Sequence, residues 1–134
     1  MTEFERYQSD VEKHPDSFIS KDRSYLEYEF IEPLSGYKCR LWREGFYRAY
    51  VMLDEKHPMY IQNDKHDLIE IHGGICTGGS CGQGIDFAHM GDFDPLSISR
   101  RYKDPEYLKT LHYWTFEEVV LEISRLAVQL RYIK

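Results

Sequence analysis

Long hydrophobic runs are what this sequence most plainly lacks. No stretch of about 18 apolar residues occurs, the length a membrane-spanning helix needs, so no transmembrane segment is predicted. The opening residues Met1-Thr2-Glu3-Phe4-Glu5 lack the basic-then-apolar order of a secretory signal. Cysteine is scarce: the count of 3 is odd, and any disulfide framework would leave one thiol over. Together these absences predict a cytoplasmic chain with reduced thiols. Basic clusters are missing too. Formal net charge is -6, and the densest positive piece is Arg100-Arg101 with Lys103. Polyanion binders gain affinity from clustered Lys and Arg, so long nucleic acid is excluded as a partner. One small phosphorylated ligand in a local pocket is not.

What is present suits one core. At 134 residues the chain has the commonest size of a single domain, with 42% apolar residues and 15% aromatic ones. Eleven tyrosines supply most of the aromatics. A tyrosine joins a large apolar body to a polar tip, so the surplus is a mild pointer to a recognition face.

Residues 1–24 are polar and read as an arm or short helix, with Phe4, Tyr7 and Val11 at helical spacing over Phe4–Lys13. It would pack on the body or on a neighbouring subunit. The body, residues 25–134, opens with alternating strands: Tyr25–Ile31, then Tyr37, Cys39 and Leu41 between Lys38 and Arg40, then Phe46–Leu53 after a turn at Glu44-Gly45. Leu68–His72 and Gln83–Phe87 read as a further strand pair flanking the glycine loop 73–82. The clearest helix is Phe116–Arg131, opened by a Thr115/Glu118 capping box with Trp114 placed to staple onto Val119. Its apolar stripe runs through Phe116, Val119, Val120, Ile123, Leu126, Ala127 and Leu130. The predicted fold class is therefore α+β: an antiparallel β-sheet with the C-terminal helix packed across it. Leu121 and Val128 lie off the stripe, either as ordinary surface positions or as the subunit contact of a homo-oligomer.

Chemistry-bearing residues concentrate between His72 and Asp94. If the two strands pair, His72 stands at the end of one, and Asp86, His89 and Asp92 at or just past the end of the other. Two imidazoles and two carboxylates at one sheet edge could ligate a metal of the zinc or iron class. They could equally do acid/base work, contact a ligand directly, or satisfy tight turns. The spacing matches no specific metal motif, and no cofactor is predicted. The glycines of the loop precede a strand rather than a helix N-terminus, so this is not a phosphate-cradling P-loop. Arg40, Arg43, Arg48, Arg100 and Arg101 form a candidate anion-recognising set, set against ordinary surface charge. His57, His66 and His112 read as incidental.

Gly36-Tyr37-Lys38-Cys39, His57-Pro58, His72-Gly73-Gly74 and the run Gly84-Ile85-Asp86-Phe87-Ala88-His89-Met90-Gly91-Asp92, followed by Leu126-Ala127-Val128-Gln129-Leu130, resemble a family of small bacteriophage and prophage proteins. The resemblance spans residues 36–131. Departures are Cys76 where the family tends to have Thr, and Ile85 and Phe87 in place of Phe and Cys. The resemblance implies a phage origin and a place in the cytoplasm of a bacterial host. By analogy with other small phage proteins, it implies sequestration of a cyclic nucleotide immune signal without cleavage. His72, Gly73, Gly74, Asp86, His89, Arg100 and Arg101 are then the expected ligand-binding residues. The alternatives are a metal-dependent or His/Asp hydrolase using His72, Asp86, His89 and Asp92, and a protein–protein inhibitor of a host enzyme.

Overall fold

The structure is a computed structural model, and it describes residues 1–14, 28–44, 46–60, 69–71, 82–86, 106 and 110–133. Among these, helix α1 (Glu3–Lys13) is followed by strands β1 (Tyr28–Ile31), β2 (Lys38–Glu44), β3 (Phe46–Met52) and β4 (Gly82–Asp86), and then by helix α2 (Phe116–Arg131). The strands make one antiparallel sheet in the order β1-β2-β3-β4. The helix α2 packs on β2 and β3. The α+β class read from the sequence is thus observed. No helix of the described residues is long and apolar enough to cross a membrane.

Alternation explains the sheet. Cys39 and Leu41 on β2 stand opposite Val51 and Ala49 on β3, and all four are fully buried. Residues two apart on a strand share a face, so Tyr47 and its cross-strand partner Arg43 continue the same inner row. Tyr47 is fully buried. Arg40 points the other way and pairs with its strand neighbour Glu29 at 2.7 Å. The inner row meets Val119, Ile123, Leu126, Ala127 and Leu130 of α2, and this contact is the core.

Local chemistry sets the boundaries. Both helices begin with a complete capping box: Thr2 with Glu5 at α1, and Thr115 with Glu118 at α2. Each box satisfies orphan N–H groups of a first turn. Trp114 is partly buried against the core just before the α2 box. Between β1 and β2 the chain reverses through Gly36 at φ 77°, a left-handed conformation that costs an L side chain. The Glu32 carboxylate closes this turn by accepting from Leu34 N–H at 3.0 Å and Ser35 N–H at 2.6 Å. Burial opposes its ionisation, but these N–H donors outweigh that and hold the carboxyl below its usual range.

The N-terminal arm packs on the body of its own chain. Tyr7 meets Tyr113 edge-on at 5.5 Å between ring centres. Arg6 reaches Glu118 at 2.5 Å and the Tyr113 carbonyl at 3.0 Å. Asp10 enters the interior and is only 2% exposed.

Candidate functional site

Residues 69–71 are not a strand; α2 holds them by its side chains. The Glu70 N–H donates to Gln129 Oε1 at 2.6 Å, and Gln129 Nε2 donates back to the Glu70 carbonyl at 3.0 Å. Arg125 Nη2 donates to the same carbonyl at 3.2 Å. One carboxamide thus supplies the acceptor and the donor that a neighbouring strand would have offered. This corrects the expected pairing of Leu68–His72 with Gln83–Phe87. The described partner of β4 is β3, with Asp86 opposite Arg48 and Gly82 opposite Met52. The apolar alternation was sound, since Ile69 and Ile71 do pack against the core. A side chain took the ladder's place, and periodicity cannot report that.

His57 is the second structural device at this end of α2. Its Nδ1 accepts from Met59 N–H at 2.9 Å, so Nε2 carries the hydrogen and donates to the Leu130 carbonyl at 2.7 Å. That carbonyl is one of the last four of the helix, which have no partner within it. The Tyr37 ring stands edge-on to the imidazole at 6.2 Å. Far from incidental, His57 joins the loop after β3 to the helix end. Tyr37, His57 and Leu130, far apart in sequence, meet here.

Of the expected site residues, His72, Gly73, Gly74, His89, Asp92, Arg100 and Arg101 lie outside the described residues, as do His66, Cys76 and Cys81. Asp86 is the last residue of β4. Residues 69–71, leading to His72, are held by α2, and Gly82 by β3. Arg40 and Arg43 of the candidate anion-recognising set are committed to Glu29 and Asp10. Cys39 is a free buried thiol, and burial, aided by nearby Glu32, pushes it up to about 12.

The largest polar constellation among the described residues went unread in the sequence. Asp10 Oδ2 accepts from Tyr47 Oη at 2.5 Å, Tyr113 Oη at 2.7 Å and Arg43 Nη1 at 3.4 Å. Its Oδ1 accepts from Phe116 N–H at 3.0 Å, a first-turn N–H of α2. A carboxylate there also lies at the positive end of the helix dipole. Arg43 bonds Tyr47 Oη at 3.1 Å and the His14 carbonyl at 3.2 Å. Burial foremost, then the neighbouring acidic groups, drives the ionisation of Tyr47 and Tyr113 far above the ordinary 10.0. Burial disfavours the Arg43 charge, but the surrounding Tyr47, Tyr113 and Asp10 oxygens raise its pKa overall.

A ligand atom each of Asp10, His14 and Glu117 lies within 4.8 Å of the others, the residue types of a metal centre. Four donors already converge on the Asp10 carboxylate, three at Oδ2 and one at Oδ1. His14 Nε2 faces Glu117 Oε1 at 3.4 Å, and its ring lies on Phe116 at 4.2 Å. The cluster reads as the seam that ties α1 to α2. No protein-family model, curated protein or solved structure matches the chain. Its functional reading therefore rests on its own residues. Two signals could have revealed the seam: Asp10 follows Tyr7 on the apolar stripe of α1, and Arg43 keeps the inward parity of Cys39 and Leu41.

Proposed function

We propose that this chain is a phage-encoded, non-catalytic binder that sequesters a small nucleotide signal, such as a cyclic di- or oligonucleotide. The contacts would come from His72, Gly73, Gly74, Asp86 and His89, with Arg100 and Arg101 for phosphates. One observation carries the reading: the stretch between Ile71 and Gly82 is stemmed at both ends. The Gln129 amide fixes Glu70 at one end, and the β3–β4 ladder fixes Gly82 at the other. Binding residues concentrate on loops held by a rigid scaffold, and a stem ordered in advance lowers the entropy lost when ligand binds. Asp10, Tyr47 and Tyr113 are by contrast engaged in internal bonds.

Titration calorimetry against a panel of cyclic nucleotides tests the proposal, followed by heating the complex and analysing what is released. Binding of one member, its recovery intact, and loss of that binding in His72→Ala and Asp86→Ala are expected. With a net charge of -6, attraction to an anion must be local, so affinity should fall as salt screens the arginine contacts. No heat with any member would sink the reading, and release of cleaved nucleotide would favour the hydrolase instead.

A further inference from the structure

The helix α2 has a second apolar row, opposite its core stripe. Leu121, Arg125, Val128 and Tyr132 follow one another at steps of four, three and four residues, the spacing of a helix–helix seam. Leu121 is 69% exposed and Tyr132 78%. Beside the row opens a groove of about 460 Å³ lined by Leu121, Arg125 and Val128 together with Leu34, and also by Glu32 and Glu70. Leu34, at the tip of the β1–β2 turn, is 80% exposed. Nothing in the packing of the described residues requires these side chains to be apolar, and clustered exposed apolar residues mark interaction surfaces.

The charges along this face point to the occupant. Glu117, Ser124 and Arg131 lie seven residues apart and so form one flank of the row, with Glu117 in the acidic first turn of α2 and Arg131 in its basic last turn. A dyad near Ser124 would set the Glu117 of each copy toward the partner's Arg131, while opposing the two helix dipoles favourably. The central cation is already neutralised. Arg125 Nη1 contacts both Glu122 oxygens, at 2.8 and 3.1 Å, and Nη2 the Glu70 carbonyl at 3.2 Å. Its aliphatic stem can therefore be covered without stranding an unpaired charge. We infer that the outer face of α2, with Leu34 beside it, is a self-complementary surface on which two copies of this chain pair antiparallel about a two-fold axis. The inference stands independently of the nucleotide reading.

Sedimentation equilibrium of the full chain tests it over roughly 1 µM to 1 mM. A mass twice the 16.0 kDa of the chain is expected at the upper end. Leu121→Lys with Val128→Lys should raise the dissociation constant at least roughly tenfold while leaving the far-ultraviolet circular dichroism intact, because the row is exposed. Glu117→Arg should weaken the dimer about threefold, and adding Arg131→Glu should restore it. A monomer across the whole range overturns the inference. So does a dimer indifferent to the two lysines, or a charge exchange that fails to rescue.

Discussion

Asp10 of the N-terminal helix and Tyr47 of β3 meet at 2.5 Å in the interior, 37 positions apart in sequence. The bond puts α1 in the same cooperative unit as the sheet, because Asp10 also holds Tyr113 and the first turn of α2.

Removing that carboxylate should be costly. Asp10→Ala takes the carboxylate away from Arg43 and from the Tyr47 and Tyr113 hydroxyls, and breaking a buried ion pair from one side costs about 3–5 kcal/mol. Urea unfolding measures the loss, and limited proteolysis should show cleavage within residues 1–14. Tyr47→Phe should cost only about 1–2 kcal/mol, since it deletes one bond and no charge. An Asp10→Ala variant as stable as the parent would refute the seam.

Stability should decline in alkali. Cys39 and both buried tyrosines have their pKa values raised on folding, so the unfolded chain loses these protons first. The unfolded state then binds fewer protons than the native state, and unfolding free energy falls as pH rises. The stabilisation is complete below the ordinary thiol value of 9.0. It erodes above that, and faster above the tyrosine value of 10.0, at up to about 1.4 kcal/mol per pH unit for each proton. Urea midpoints between those pH values and pH 11 would show it. Tyr47→Phe with Tyr113→Phe should flatten the steeper part.

Gln129→Ala should loosen one segment rather than the whole. The two bonds to Glu70 are exposed and together worth about 1 kcal/mol. Hydrogen exchange should quicken at the Glu70 amide, while the amides of β2 and β3 keep their protection. If ligand binds the stretch that follows, its affinity should drop in step. Unchanged exchange at Glu70 would show that the carboxamide is not what holds the chain there.

Gly36→Ala tests the turn alone. An added methyl would meet nothing within 4 Å, so any cost comes from the backbone at φ 77°, about 1 kcal/mol. Thermal unfolding should register a drop of a few degrees. A larger fall would mean the turn does more than reverse the chain.

His57→Ala removes the short 2.7 Å bond to the Leu130 carbonyl, which keeps the longer one from Ile133 N–H at 3.2 Å, and removes the acceptor for Met59 N–H. A loss of about 1–2 kcal/mol is expected from the lost bonds and the Met59 N–H left without its acceptor, read by urea unfolding. A neutral result would mean that water replaces the imidazole at both positions.

Much of the fold was legible because its signals are local. The Thr115/Glu118 box and the 3.6-residue stripe announce α2, and the alternation of Cys39 and Leu41 with Lys38 and Arg40 announces β2. Such patterns follow from the geometry of a few adjacent residues. The candidate site was less legible. The adjacency expected of His72 and Asp86 depended on a strand pairing that the chain does not use at residues 69–71, where a glutamine from α2 intervenes.

By itself the sequence determined which segments coil, which extend and which faces turn inward, since hydrophobic period and capping need no distant partner. Only the tertiary structure decided where the polar side chains went. Asp10, His57 and Gln129 bond to groups 37, 73 and 59 positions away. Buried polar groups must be satisfied, but residue type alone does not name the partner, because any donor brought within reach by packing will serve.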